Sequence, residues 1–177
     1  MGEDKDLSAS LARDLDGAFE SLVWAYQDRL YAFAVRMTGD HHDAQEITQD
    51  AFVRAYRALG GYDRKRISAL ELRPWLYTIA LNAVRNSKRG SRTVLVSLDG
   101  VEHAAADDPA GDVERSSEVA RLLASLPPRH RAAVLLRYFE DLSYEEIAEV
   151  LGEPVGTVKS NVHRGIARLR AAVEEGS

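Results

Sequence analysis

The chain has 177 residues, of which 45% are hydrophobic, and this is enough to bury one core or two small ones. The absence of cysteine excludes a disulfide framework and a thiolate metal site, and no apolar run approaches the roughly 20 residues that span a bilayer. The formal net charge is −5, but residues 62–92 carry eight Lys or Arg against two acids, while residues 94–118 carry seven acids against one Arg. Because local patches decide nucleic-acid binding, the negative total does not exclude it.

The first segments of the chain are an acidic stretch and a periodic apolar stretch. Residues 1–17 are predicted to be an acidic N-terminal tail, and because they lack the order of a signal peptide, the protein is expected to be cytoplasmic. Apolar residues recur at three- and four-residue steps over residues 18–38 and predict a long amphipathic helix that Gly39 ends. Trp24 and Tyr31 lie beside this stripe and are interpreted as structural.

A second helix is predicted with Asp43 as its N-cap and Glu46 as the capping partner, and it runs through Leu59 to the glycines at residues 60–61. Its outer face carries Gln45, Glu46, Gln49, Asp50, Arg54 and Arg57. This polar mixture suits either solvent or docking on another protein. The cluster formed by residues 41–43 and Glu46 would offer metal ligands only at an exposed turn, so no metal site is predicted.

A basic loop and an aromatic helix follow. The loop, residues 62–67, carries Arg64, Lys65 and Arg66, and Pro74 begins a helix that continues to residue 89. The helix buries Leu76, Ile79, Ala80, Ala83 and Val84, and its other faces carry Trp75, Tyr77, Asn82, Arg85, Asn86, Lys88 and Arg89. Aromatic, amide and cationic groups in this mixture stack on unpaired bases and hold a nucleic-acid backbone. In the alternative interpretation, Trp75 and Tyr77 belong to the core and the cations only solubilise the helix end.

Two helical domains are predicted, over residues 18–92 and 118–174. Residues 93–117 between them break the helical periodicity and are predicted to be an acidic linker with one extended stretch at residues 94–98. In the second domain, the proline pair at residues 127–128 separates two helices that support the C-terminal motif.

The C-terminal motif is a predicted helix-turn-helix. Ser143 and Glu146 have the spacing of a capping box and begin the first helix, which Gly152 ends. Pro154 limits its propagation, and a second helix begins near Val155. Its buried face is predicted to be Val158, Val162, Ile166 and Leu169.

The exposed face of this second helix is predicted to enter a major groove. It carries Thr157, Lys159, Ser160, Asn161, His163, Arg164 and Arg168, with no acid between Val155 and Val173. Base edges are assigned to Thr157, Ser160, Asn161 and Arg164, and phosphates to Lys159, His163 and Arg168. The alternative is an ordinary amphipathic hairpin whose basic face is solvated.

Taken in order, these features resemble the extracytoplasmic-function (ECF) sigma factors of bacterial RNA polymerase, over residues 19–173. Residues 43–55 are similar to the family's segment that docks on the clamp coiled coil of the polymerase β′ subunit. Residues 75–82 are similar to the segment that opens and reads the minus-ten promoter element. The segments similar to the domain that reads the minus-thirty-five element are Leu126-Pro127 with Arg131, residues 142–148 and residues 154–160.

The resemblance implies an all-α protein of two small helical domains joined by a flexible acidic linker, with no cofactor and no catalytic activity. The implied partners are core RNA polymerase, through its β′ clamp coiled coil and β flap, promoter DNA as duplex and as single strand, and an anti-sigma factor. No membrane insertion is expected. The implied docking residues are Asp43, Glu46, Gln49, Asp50 and Arg54. The residues implied at the minus-ten element are Arg64, Lys65, Arg66, Trp75, Tyr77, Asn82, Arg85, Asn86, Lys88 and Arg89.

One segment and two positions depart from the family pattern. The segment over residues 62–75 is longer than usual, Asn161 stands where the family usually has arginine, and Gly165 stands where it usually has alanine. The competing interpretation is a free-standing helix-turn-helix regulator, which would need a ligand pocket or a dimerisation helix upstream. An enzyme is disfavoured, because the sequence has no phosphate-binding glycine loop, metal cluster or nucleophile constellation.

Overall fold

The computed structural model describes residues 2–91 and 110–175, without the side chains of residues 89–91 and 110–116. Within these ranges every regular element is a helix, which confirms the all-α prediction. The helices are α1 (Gly2–Arg13), α2 (Leu15–Thr38), α3 (His41–Gly60), α4 (Arg64–Ser68), α5 (Leu72–Ser91), α6 (Ala110–Ala124), α7 (Pro128–Tyr138), α8 (Tyr144–Leu151) and α9 (Val155–Glu175). No helix in the described part is long and apolar enough to cross a membrane. The extended stretch predicted at residues 94–98 lies outside the described residues.

The N-terminal helices form a core around the apolar stripe of α2. Leu22, Tyr26, Leu30 and Phe33 are at most 2% exposed and repeat at helical spacing. Helix α2 packs along α3, and α3 packs along α5. Pro74 lies in the first turn of α5, where its missing N–H leaves no bond unmade. The packing therefore leaves the polar faces of α3 and α5 partly exposed.

The segment expected to be an acidic tail is instead the helix α1, which packs against α2 and α4. Leu11 is 1% exposed and joins the core of the N-terminal helices. The Tyr26 hydroxyl donates a hydrogen bond to Asp4, and Arg73 lies 3.7 Å from the same carboxylate. This helix is not recognisable from the sequence pattern, because it has few apolar residues and many charged ones.

Two local predictions near α3 have different outcomes. Gly39 does end α2, with a φ of 76° that favours glycine. The N-cap of α3, however, is Asp40, whose carboxylate accepts a hydrogen bond of 2.8 Å from the backbone N–H of Asp43. The prediction of Asp43 as N-cap is wrong. The cap is Asp40, three residues earlier, and it accepts the hydrogen bond from the otherwise unpaired backbone N–H of Asp43. Asp43 lies in the first turn, where its charge still suits the helix dipole.

The helix-turn-helix is formed by α8 and α9 and is supported by α7. The capping box is confirmed: Ser143 Oγ accepts from the Glu146 N–H at 3.1 Å, and Glu146 Oε2 accepts from the Ser143 N–H at 2.7 Å. Gly152 ends α8 with a φ of 65°. Helix α9 approaches α7 closely at Gly165, where a Cβ would lie 2.6 Å from Cγ2 of Val134. This approach gives a physical reason for glycine in place of alanine.

The C-terminal helices contact the N-terminal ones. Helix α5 packs against α8, and α2 packs against α6 and α7. Arg131 of α7 donates to the backbone carbonyl of Met37 at 2.7 Å. Helix α6 begins within the segment expected to be linker, so the described part of that segment is helical from residue 110.

Candidate nucleic-acid interfaces

Helix α9 presents a polar, cationic face that is fixed from behind by apolar side chains. Val158 and Val162 are at most 3% exposed, while Ile166 and Leu169 are half-buried against the core. Six of the seven predicted DNA-contacting side chains are exposed: Thr157, Lys159, Ser160, His163, Arg164 and Arg168. Arg170 is also exposed on this helix, although the sequence analysis did not assign it to DNA. The helix therefore offers donors and positive charge to a groove.

Asn161 is the exception on this helix. Its side chain is 7% exposed, and its Nδ2 donates a hydrogen bond of 2.8 Å to Oε2 of Glu153. The prediction that Asn161 reaches a base edge is wrong for this arrangement, because the amide is turned inward to a carboxylate before the helix. The helical spacing of α9 predicted that Asn161 is exposed like its neighbours. Its partner Glu153 lies in the turn before α9, so the spacing within the helix could not reveal this hydrogen bond.

Cations from α7 and from α9, the recognition helix of the motif, lie close to the ring of Tyr144 on α8. Lys159 Nζ lies 5.5 Å from the ring centre of Tyr144, and the Arg137 guanidinium lies 5.0 Å from the same ring. The pKa of His130 on α7 is lowered by burial and then by the charges of Arg168 and Arg164. The sequence analysis did not single out His130, because its helix carries no DNA-reading pattern.

Further polar side chains lie on α4 and on the exposed side of α5. Asn82, Arg85, Asn86 and Lys88 of α5 are exposed, as are Arg64, Lys65 and Arg66 of α4. Partial desolvation of its ammonium group, followed by the charge of Arg131, lowers the pKa of Lys88. The Arg66 guanidinium lies 3.6 Å from the ring centre of Tyr62, whose ring packs edge-on against Trp75 at 6.3 Å. The side chain of Arg89 lies outside the described residues.

The two aromatic residues predicted to stack on bases both contact the core. Trp75 is half-buried and packs against it. Tyr77 is 0% exposed, packs edge-on against Phe33 at 5.2 Å and donates its hydroxyl to Glu140. The stacking prediction for Tyr77 is wrong in this arrangement, and the alternative that made it a core residue describes the structure.

The predicted docking face lies on the outer side of α3. Glu46, Gln49 and Arg54 are exposed, and Asp43 and Asp50 are half-exposed. Arg54 Nε lies 2.7 Å from Asp50 Oδ2, so these two side chains already pair within the helix. Val53, which lies between them in sequence and is 46% exposed, adds an apolar side chain that was not among the predicted docking residues.

The metal-ligand cluster considered at this end of α3 is brought together by the helix. Ligand-type atoms of His42, Asp43 and Glu46 lie within 4.8 Å of one another, on an exposed turn. Burial, followed by the charges of Asp40 and Glu46, raises the pKa of Asp43. Asp43 lies in the first turn after the Asp40 cap, and His42 Nδ1 lies 3.8 Å from Glu46 Oε1 on the surface of the helix.

Comparison with known proteins identifies both halves of the chain. The family model described as Sigma-70 region 2 matches residues 22–93, and that described as Sigma-70, region 4 matches residues 116–169. The ECF RNA polymerase sigma factor SigW of Bacillus subtilis is 31% identical over 172 residues, covering 89% of this chain and 90% of SigW. The RNA polymerase sigma-H factor of Pseudomonas aeruginosa is 34% identical over 186 residues, covering 97% of this chain and 94% of that protein.

A solved structure of CnrH in complex with the cytosolic domain of CnrY has the same fold. Its TM-score is 0.73 and its sequence identity is 29%, with coverage of 98% of this chain and 99% of CnrH. The order of the two sigma regions and the length of the matches favour a sigma factor over a free-standing regulator. The chain therefore belongs to the ECF subfamily of sigma-70 factors, the alternative sigma factors that direct promoter-specific initiation of transcription.

Proposed function

We propose that three surfaces of this sigma factor divide the work of initiation: α9 reads the upstream promoter element, α4 and α5 hold the minus-ten element, and α3 docks on core polymerase. The observation that carries the proposal is the exposed face of α9, which is rich in donors and cations and fixed by the buried Val158 and Val162. The first domain, residues 18–92, then handles docking and minus-ten recognition, and the second, residues 118–174, handles the minus-thirty-five element.

At the upstream element, Arg164 is assigned to a guanine edge, because a guanidinium pairs with it through two hydrogen bonds. Thr157 and Ser160, nearer the N-terminus of α9, supply further contacts to bases. Lys159, His163 and Arg168 are assigned to phosphates, which hold the helix in register without reading sequence. Asn161 is left out of the base-reading set, since it is bonded to Glu153.

At the minus-ten element, the exposed side of α5 supplies the contacts. Asn82 and Asn86 offer hydrogen bonds to unpaired bases, and Arg85 and Lys88 offer charge to the backbone. The exposed cations of α4 add positive charge at the Trp75 end of α5, where Tyr62 lies between Arg66 and Trp75. The Arg66–Tyr62–Trp75 stack fixes one edge of the surface and leaves part of the Trp75 ring accessible to a base.

The polymerase-docking surface is assigned to α3. The face of Asp43, Glu46, Gln49, Asp50 and Arg54 is opposite the buried Ile47 and Ala51, so it can be covered by a partner without disturbing the core. Its resemblance to the family's docking segment points to the clamp coiled coil of β′, and the C-terminal domain is assigned to the β flap. Val53 provides an apolar centre for this contact.

An anti-sigma factor is proposed as a further partner. CnrH, the similar protein of known structure, was solved with the cytosolic domain of CnrY bound. In this chain a groove of about 530 Å³ lies between α2 and α6–α7 and is lined by apolar side chains with Arg36 and Arg131. An amphipathic segment with acidic residues would match that chemistry. We further propose that the chain has no catalytic activity of its own and acts in the cytoplasm with RNA polymerase.

The test is run-off transcription with core polymerase on fragmented genomic DNA, with and without this protein. We expect discrete transcripts only when both are present, and their start sites return the promoters. A free-standing regulator would instead bind the same fragments in the absence of core polymerase and would change the transcripts made with another sigma factor. The proposal would be contradicted if the folded protein binds core polymerase and no new transcripts appear.

A further inference from the structure

The position of Glu153 is unfavourable for DNA binding, because its side chain is a carboxylate. It is the last acid before the recognition helix, and no other follows until Glu174. It lies two residues before α9 begins, and its side chain is 18% exposed. DNA carries closely spaced, negatively charged phosphates. A free carboxylate at the turn of a helix-turn-helix would therefore repel the DNA that the motif binds.

Two side chains contact this carboxylate. Asn161 donates its Nδ2 hydrogen bond to Glu153 Oε2 at 2.8 Å, from a position that is itself 7% exposed. On the other side, Arg129 Nε lies 4.0 Å from Glu153 Oε1. The Asn161 bond joins the turn to the second turn of α9, whereas the Arg129 side chain is 80% exposed and holds the carboxylate only loosely.

We infer that Asn161 is a positioning residue that acts through Glu153: its amide holds the carboxylate beneath the recognition helix and away from DNA phosphates, and it does not itself read a base. The inference rests on the proposed DNA-reading role of α9 and specifies the part played by one residue of that surface. It explains why a buried amide lies on a helix whose neighbouring polar residues are exposed. It also means that Glu153, which is absent from the predicted DNA-contacting set, lowers affinity only when its carboxylate is released from Asn161.

The test compares Asn161→Ala, Glu153→Gln and the double variant in the full chain, assembled with core polymerase. The probe is a promoter fragment obtained from the run-off experiment, and the Kd is measured at several salt concentrations. Asn161→Ala should weaken binding roughly 3- to 10-fold at low salt, because the released carboxylate faces the phosphates, and the loss should shrink as salt screens the repulsion. Glu153→Gln should bind like the wild type, and the double variant should recover the affinity lost by Asn161→Ala.

Three results would overturn the inference. They are unchanged affinity of Asn161→Ala, a loss that persists in the double variant, and a change of base preference at a single promoter position. A residue that only supports the fold would show no rescue by Glu153→Gln, and a base-reading residue would show altered preference. If Asn161→Ala does not fold, Asn161→Leu, which has a similar volume and no donor, enters the same comparison. Failure of the wild-type holoenzyme to initiate at promoters would instead count against the proposed function.

Discussion

The hydroxyl of Tyr77 on α5 donates a hydrogen bond to the carboxylate of Glu140, a residue 63 positions later in the chain. Arg29 of α2 reaches the same carboxylate at 3.2 Å. Tyr77 is 0% exposed and Glu140 is 3% exposed, so the pair is shielded from water. Burial, followed by the charge of Glu140, raises the pKa of Tyr77 well above its usual range. A base can stack on Tyr77 only after α5 and the segment after α7 have separated.

The first prediction concerns this contact. Tyr77→Phe keeps the ring against Phe33 but leaves the buried carboxylate of Glu140 with Arg29 as its remaining side-chain partner. We expect the free energy of unfolding to fall by about 1–3 kcal/mol, which is the usual effect of leaving a buried polar group short of a partner. Urea unfolding measures the change. Tyr138→Phe is the matched control, because Tyr138 is 61% exposed, and an equal effect of both changes would contradict a structural role for the Tyr77 hydroxyl.

The second prediction concerns pH. The pKa of His130 is below its ordinary value of 6.5 in the folded chain, owing to burial and the nearby Arg168 and Arg164. As pH falls, the unfolded chain takes up this proton first, so the stability that His130 contributes is present above pH 6.5 and is lost as pH falls through the folded pKa. His130→Gln should therefore make the free energy of unfolding less sensitive to pH in this range.

The control for this titration is His163→Gln, since His163 is exposed on α9. Chemical unfolding at a series of pH values, at constant ionic strength, gives the slopes for all three proteins. A wild-type slope in His130→Gln would show that other groups cause the acid sensitivity.

The third prediction separates two cations of α9. Arg164→Ala should weaken discrimination at the upstream element by about 1–3 kcal/mol, because a two-bond contact with one base is lost. Lys159→Ala should lower affinity for all sequences alike and reduce the salt dependence of binding. The measurement is holoenzyme binding to the promoter and to a copy with a scrambled upstream element. Equal losses on both DNAs for both variants would remove the distinction.

The fourth prediction tests the docking face of α3. Asp50→Arg combined with Gln49→Ala places a like charge beside Arg54 and removes an exposed amide. Binding to core polymerase should fall while helicity remains native, since both positions lie outside the core. Glu118→Arg, a charge reversal at an exposed position of α6, should bind core polymerase as the wild type does. Unchanged binding by the α3 variant would place the docking surface elsewhere.

The sequence predicted features that depend on near neighbours. The Ser143–Glu146 capping box, the glycine at the end of α8 and the start of α9 are set by residues within one or two turns, and the structure has all of them. The exposed face of α9 followed from the spacing of its apolar residues, apart from Asn161. Its inward turn depends on Glu153, which lies across the turn from α9 and outside that spacing.

The features that the sequence did not reveal depend on distant partners. Tyr77 is an aromatic residue among amide and cationic neighbours, as expected of a base-stacking site. Its burial against the other half of the chain becomes apparent only from its hydrogen bond to Glu140. Helix α1 has too few apolar residues to be recognised alone, but Leu11 is buried once α2 and α4 lie beside it. Asp40 and Asp43 both suit an N-cap, and the backbone conformation decides between them.

Gly165 determines how closely the recognition helix packs on α7. With no side chain there, α9 lies so close to Val134 of α7 that an added Cβ would lie 2.6 Å from Val134 Cγ2, and a neighbouring atom would have to shift. Alanine at this position would favour an isolated helix by about 1 kcal/mol, so the close fit is maintained against the intrinsic preference of the backbone. Because the backbone of α9 rests against Val134 without an intervening side chain, we expect a displacement of the recognition helix to be accompanied by one of α7. Arg131 in turn joins α7 to the end of α2 through its hydrogen bond to the carbonyl of Met37.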